Sequence, residues 1–311
     1  MCTAISCRLG DHYFGRNLDL ERGYGERVVI TPRNFPFSFR FVTPPARRYA
    51  MIGTAAVVEN TPLYFEATNE RGFSMAGLNF PQNAVYAARG QGVPAIAPFE
   101  VIPYLLSGCG SVAEAKKALD GVKIVQESFS EALPVTPLHW LLADPDACAV
   151  LECTAEGTRL YENPFGVLTN EPPFPFHAAN VNHYMGLHEG LADNRLSEAL
   201  PLTNHSLGLG AMGLPGDFSS ASRFVRAVFV KEKSVCEGDE GARVAQFFHI
   251  LGAVAMPRGC VRTAMGEVEY TRYSSCCNTK TGVYYYTTYD DLSVRSVDLH
   301  GVDLDGKDLY L

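Results

Sequence analysis

With 311 residues, 47% hydrophobic and 19% charged, the chain has a globular composition and the length to bury about three quarters of its unfolded surface. A formal charge of -8, from 34 acidic against 26 basic residues, leaves no basic stripe for phosphates and argues against a nucleic-acid partner. No apolar run approaches the ~20 residues of a membrane span, and the first turns of chain lack the basic start and apolar stretch of a secretory signal, so a cytoplasmic protein is expected.

The chain opens with "TAISCRL" and "HYFGRNL" flanking Gly10-Asp11, a pattern that predicts a β-hairpin with a two-residue turn. That register sets Cys2 opposite Asp19. Strict alternation then leaves Arg16 on the other face, so both side chains reach Cys2 only if the second strand bulges or ends near Asn17, and such an irregularity is expected. Further strands are predicted at "RVVITPR", "YAMIGTAAVV", "LYFEATN" and "GFSMAGLNF". Helices follow at "PFEVIPYLLSGC" and "SVAEAKKALDGV", the latter opened by a Ser111/Glu114 capping box and closed at Gly121. Strands return at "LHWLLAD", "CAVLECT", "TRLYE" and "FGVLTN", then helices at "ASRFVRAVFVKEK" and "GARVAQFFHILGAVAM", then strands at "EVEYTRYSSC", "GVYYYTTYDD" and "SVRSVDL". This order predicts an α+β layered fold, and the absence of a linker predicts one domain over 1–311.

Nine cysteines, an odd number, do not form a disulfide framework in a chain of this length, and there is no C-x-x-C. His183 and His188 are five apart and off a shared helical face, so no metal site and no cofactor are expected. "GLGAMG" at Gly208 to Gly213 matches a dinucleotide fingerprint but follows polar "PLTNHS" and precedes Pro215-Gly216, a context that predicts a loop.

Cys2 is the position with chemistry. Initiator methionine is usually trimmed before a small residue, which leaves a free thiol and a free α-amine on one residue. A thiol titrates near ~8.5 and an α-amine near ~7.7 to 8.0, so the amine can take the thiol proton near neutral pH. Such a nucleophile needs a cation, a carboxylate for the amine, and neutral donors for an oxyanion. Arg16 and Asp19 supply the first two, and Asn79 and Asn170, each ending an apolar strand-like run, are candidate donors.

"MCT", "FGRNLD", "NERG", "AGLNFP", "LHW", "GVLTNEP", "GLPGDF", "ASRF" and "NTKTGVYYYTTYD" occur in the order expected of the choloylglycine hydrolase family. The chain resembles its bile salt hydrolases, with penicillin V acylases as relatives, from Cys2 to about Asp303. The resemblance implies a four-layer αββα N-terminal nucleophile hydrolase, with loss of Met1 as the only maturation. It implies Cys2 as nucleophile, its amine as base, Arg16 and Arg223 flanking the thiol, Asp19 on the amine, and Asn79 and Asn170 as oxyanion-hole and orienting positions. Conjugated bile salts are the implied substrates, split into bile acid and glycine or taurine, with an apolar wall at Leu18, Tyr24, Tyr64, Leu133 and Leu138. Asparagine rather than tyrosine at position 79 leans toward bile salts over penicillin V. The two tyrosines stand where hydroxyl-free aromatics are familiar, so an altered pocket polarity is expected. The stretch "HYMGLHEGLADNRLSEALPLTNHSLG" is too long for an idle connection, and the family uses an extension here to assemble a homotetramer. Two other readings stand beside this one: an acylase for penicillin V or other N-acyl amides, and a non-catalytic ligand-binding or thiol-redox protein on the same scaffold.

Overall fold

The computed structural model describes residues 1–311. In chain order the strands begin with β1 (Cys2–Leu9), β2 (Asp11–Leu20), β3 (Arg27–Thr31), β4 (Met51–Val58), β5 (Thr61–Asn69) and β6 (Ser74–Asn79). The short β7 (Ala95–Ile96) leads into helices α1 (Val101–Gly108) and α2 (Val112–Asp120). Then come β8 (Lys123–Ile124), β9 (Leu138–Ala143), β10 (Cys148–Thr154), β11 (Gly157–Glu162) and β12 (Val167–Leu168). Helices α3 (Phe174–Asn180), α4 (Ser220–Lys233) and α5 (Glu240–Gly252) precede β13 (Val261–Arg262), β14 (Val268–Asn278), β15 (Val283–Thr288) and β16 (Arg295–Asp298).

One seven-stranded sheet runs β12-β1-β2-β14-β15-β16, with β13 added beside β14, and a second runs β11-β10-β9-β6-β5-β4-β3. Helices α4 and α5 cover the first sheet, α1 covers β5 and β6 of the second, and β1 and β2 meet β5 and β6 between the sheets. This is the αββα layering expected. Because β2 is buried on both faces, its sequence is nearly all interior, polar residues included, and alternation there could not separate core from solvent.

The hairpin register is corrected by one residue. Gly10 turns the chain alone at φ +83, a left-handed conformation that glycine adopts without strain. Leu9 therefore pairs with Asp11, and Cys2 lies opposite Leu18 rather than Asp19. A one-residue slip exchanges the two faces of a strand. Arg16 and Leu18 share the inter-sheet face with Cys2, and Asp19 joins Thr3 and Asn17 on the face toward the helices. The irregularity expected in the second strand is also corrected: β2 continues unbroken to Leu20, and the shift lies on β14, between Thr271 and Tyr273, opposite Asp19 and Leu18.

Helix α2 starts at Ser111, whose hydroxyl accepts from the Glu114 N–H at 3.2 Å, but the Glu114 carboxylate closes on the Gly110 N–H at 2.8 Å instead of that of Ser111. Ser219 and Asp239 cap α4 and α5 in the same way. Helix α3 went unpredicted. It has seven residues, with Pro173 before it and Pro175 in its first turn, too few for a helical period to register. Around "GLGAMG", Gly208 and Gly213 both have positive φ and enclose a single 3-10 turn, so no helix N-terminus is presented to a pyrophosphate. All nine cysteines are free thiols. No helix is long and apolar enough to cross a membrane, and no three His, Cys, Asp or Glu side chains stand together as a metal site.

Candidate active site

Cys2 heads β1 and is 2% exposed. Its backbone is held from two directions. The Cys2 N–H donates to Asn170 Oδ1 at 2.8 Å, and Arg223, from the first turn of α4, donates through Nη1 to the Cys2 carbonyl at 2.6 Å. The same guanidinium also reaches Thr3 Oγ1 at 2.6 Å, Asn170 Oδ1 at 2.7 Å and the Phe218 carbonyl at 3.0 Å. Asn170 then donates from Nδ2 to the Asn79 carbonyl at 2.7 Å, tying the chain after β12 to the end of β6. Sequence-distant residues 2, 79, 170 and 223 thus form one hydrogen-bonded unit. Burial lowers the pKa of the Arg223 guanidinium, against the pull of Asp19 and the Cys2 thiol.

Arg16 occupies the inter-sheet face. Its Nη1 donates to the carbonyls of Phe65 at 2.9 Å and Gly77 at 2.7 Å, and its Nε lies 3.9 Å from Glu66 Oε2. Nη2 has no protein partner although it is buried, which leaves one donor of a fully buried cation beside Cys2. Burial disfavours the Arg16 charge, yet the Cys2 thiol, Tyr273, Glu66 and Asp19 outweigh it and raise its pKa above the ordinary value. Glu66 itself accepts from the hydroxyls of Tyr273 at 2.6 Å and Tyr284 at 2.5 Å; burial raises its pKa and Arg16 opposes the rise.

Asp19 approaches from the helix side. Its Oδ1 accepts from Thr271 Oγ1 at 2.6 Å, and burial raises its pKa, opposed by Arg223 and the N-terminal amine. With Met1 in place the terminal amine donates to the Asp19 carbonyl at 2.9 Å and pairs with Glu269, and burial lowers its pKa. The apparent conflict between Arg16 and Asp19 disappears here. The two side chains lie on opposite faces of β2, so neither strand needs to break its alternation.

A cavity of about 480 Å³ opens onto Cys2, Arg16 and Asn79, and Leu18, Tyr24, Tyr64, Leu133 and Leu138 all line it. Asp19, Asn170 and Arg223 lie outside the lining, behind the Cys2 backbone. The Tyr64 hydroxyl shares a hydrogen bond of 2.8 Å with Thr31 and points toward the Val29 carbonyl, so its polar end is bound within the protein and the ring faces the cavity. Tyr24 is at the mouth, 39% exposed, with its hydroxyl accepting from Arg22. The altered polarity expected from the two tyrosines is confined to the rim.

The family model described as linear amide C-N hydrolases, choloylglycine hydrolase family, matches residues 2–311. The chain belongs to the choloylglycine hydrolase family. It is 47% identical over 309 residues to the bile salt hydrolase/transferase of Lactiplantibacillus plantarum, covering 99% of this chain and 95% of the relative. The bile salt hydrolase/transferase of Clostridium perfringens is 35% identical, with the same coverage. The crystal structure of the C2A mutant of the conjugated bile acid hydrolase from Clostridium perfringens superposes with a TM-score of 0.88 at 34% identity, covering 100% of this chain and 96% of that one. The penicillin V acylase of Agrobacterium tumefaciens shares the fold, with a TM-score of 0.77 at 18% identity, over 99% of this chain and 90% of the acylase.

In this choloylglycine hydrolase several polar residues near the site have no part in the sequence reading: the buried Glu66, His139, Glu152 and His177, and the half-buried Ser220. The available signal was an ionisable residue inside an otherwise apolar strand, as in "LHWLLAD" and "CAVLECT". Two buried histidines also set an acid limit. His12, bonded to Ser6 and Thr279, and His177, whose Nε2 donates to the Asn170 carbonyl, are both pushed down to about 4 by burial. Unfolded histidine titrates near ~6.5, so between these values the unfolded chain holds more protons. Stability contributed by the two neutral rings is therefore complete above about 6.5 and lost as pH falls toward about 4, by roughly 1.4 kcal/mol per pH unit for each ring. Urea midpoints measured across this window should fall with pH, and less steeply after His12→Gln and His177→Gln; an unchanged slope in the double variant would refute the assignment.

Proposed function

We propose that this hydrolase cleaves the amide bond of glycine- or taurine-conjugated bile salts. The observation that carries the reading is Cys2 with the unpartnered Nη2 of Arg16 at the base of an apolar cavity of about 480 Å³, within the range that encloses a small molecule the size of a sterol. The names of the full-length relatives from Lactiplantibacillus plantarum and Clostridium perfringens support the same substrate class.

Once Met1 is lost, the Cys2 nitrogen is a free amine in the place where its N–H now meets Asn170. The amine takes the thiol proton and the thiolate attacks the substrate carbonyl, while Arg16 favours the negative sulfur. Asn79 supplies a neutral donor to the oxyanion, and Asn170 and Arg223 fix the strand end. Collapse breaks the C–N bond, the ammonium returns its proton to the departing glycine or taurine nitrogen, and an acyl-thioester remains. Water, deprotonated by the same amine, releases the bile acid and restores the thiol.

In this reading residues 1–311 are one domain that acts after losing Met1, in the cytoplasm, as a homotetramer. Exposed Met185, Leu191, Leu196, Leu200, Leu202 and Leu207 on the stretch between α3 and α4 support the assembly, since apolar side chains clustered on a surface mark contact sites. Glycocholate, taurocholate and penicillin V presented to the purified protein test the substrate: release of glycine or taurine faster than penicillin V turnover is expected. Faster turnover of penicillin V would replace the reading by an acylase. Intact mass with iodoacetamide settles the non-catalytic alternative, which requires Met1 retained and no preferential labelling of Cys2.

A further inference from the structure

Behind the two asparagines lies a buried polar layer that the proposed chemistry does not use. His139 on β9 and Glu152 on β10 are both fully buried, with His139 Nδ1 3.0 Å from Glu152 Oε1 and Nε2 3.0 Å from the Thr169 carbonyl. A carbonyl only accepts, so Nε2 carries a proton; Nδ1 faces a carboxyl oxygen, so another proton lies between those two atoms. Whether that proton is drawn on the ring or on the carboxyl, the pair is neutral overall and its two ends stay bonded. Glu152 Oε1 also accepts the Phe174 N–H at 3.0 Å, at the start of α3.

The imidazole has a second contact. It stacks on Phe80 with centroids 4.2 Å apart and planes 7° from parallel. Phe80 directly follows Asn79, and Thr169 directly precedes Asn170. One ring thus touches the neighbour of each asparagine, across a gap that Asn170 Nδ2 itself spans to the Asn79 carbonyl. The remaining groups of Asn170 are fixed as well, its carbonyl by His177 at 3.0 Å and its N–H by Ser220 Oγ at 2.8 Å. Buried ionisable pairs contribute little net stability over an apolar replacement, so stability is a weak reason for placing one here.

We infer that His139 and Glu152 are a positioning pair that sets Asn79 and Asn170 relative to each other and to Cys2, through the Phe80 ring, the Thr169 carbonyl and the start of α3. The inference rests on the amidase reading of the site. His139→Phe keeps an aromatic face for Phe80 and removes the donor to Thr169. With kcat expressed per Cys2 titrated by iodoacetamide, it should fall about 10- to 100-fold, as for a misplacement of the order of 1 Å, with KM and the alkylation rate within about twofold. Glu152→Gln sets one amide atom where Oε1 meets both His139 Nδ1 and the Phe174 N–H, so it keeps one of the two bonds and its kcat should lie between wild type and Glu152→Leu, which should fall with His139→Phe. His139→Gln, which can restore donation to Thr169, should recover part of kcat and serves if His139→Phe does not fold.

Wild-type kcat per titrated thiol in His139→Phe would overturn the inference, as would Glu152→Gln falling as far as Glu152→Leu. Should the wild-type protein release nothing from any conjugate, the amidase reading falls, and a crystal structure of His139→Phe still decides the positioning role. Departure of Asn170 Oδ1 from the Cys2 N–H supports it; a Thr169–Asn170 segment within about 0.5 Å of its present place overturns it.

Discussion

Cys2→Ala is expected to leave no measurable release of glycine or taurine while the protein still folds and still binds conjugates. The substitution removes the only atom in the site able to form the acyl intermediate, and what survives without a nucleophile is at most the contribution of binding and oxyanion donors. The fold should tolerate it, because the ties at this position run through backbone: the N–H to Asn170 and the carbonyl to Arg223. Loss of one buried sulfur costs about 1 kcal/mol on the scale of small core truncations. Calorimetric titration with glycocholate should therefore give a Kd close to the wild-type KM, and turnover that survives the substitution would sink the mechanism. Cys2→Ser should be slower, since an alcohol, unlike a thiol, forms almost none of its anion near neutral pH and relies wholly on the amine as general base.

Arg223→Met is expected to reduce both stability and turnover. The guanidinium donates to the carbonyls of Cys2 and Phe218, to Thr3 Oγ1 and to Asn170 Oδ1, all from a fully buried position. Methionine fills the space and serves none of them. It also removes the Arg223 charge that opposes the rise in the Asp19 pKa, and removing one member of a buried charged set costs about 3–5 kcal/mol. Turnover should fall by roughly 10²- to 10³-fold, because Asn170 loses the partner that aims its oxygen at the Cys2 nitrogen. Arg223→Lys should lie between, as three donors on one nitrogen cannot reproduce a planar fork that spans four acceptors. Urea unfolding together with kcat per titrated thiol measures both effects; values within twofold of wild type would remove Arg223 from the site.

The elements that repeat a period or carry a cap were legible in the sequence: the hairpin, the Ser111 start of α2, the long helices α4 and α5. The hairpin register was not, because Gly10 and Asp11 fit a two-residue turn as well as a glycine turning alone, and only the left-handed φ of Gly10 separates them. That single residue decided which face Asp19 takes. Arg223 was visible only through resemblance, and Asn170 only as an amide ending an apolar run, since contacts between residues 2, 79, 170 and 223 depend on how distant strands pair. His139 and Glu152 were overlooked for a related reason: a polar residue in an apolar run announces a partner without saying where it is. The Tyr64 hydroxyl was misjudged similarly, its partner Thr31 lying on another strand.

The cavity that meets Cys2 has two unlike walls. Leu18, Tyr64 and Phe65 stand on strands, and the Tyr64 ring is tethered through Thr31. Phe129, Ala132, Leu133, Pro134 and Val135, which also line it, belong to a connection without helix or strand. Every group that touches the Cys2 backbone lies outside that connection. Exchange of this loop can therefore reshape the cavity wall while the hydrogen bonds that hold Cys2 stay untouched, so the two parts of the site are free to evolve at separate rates.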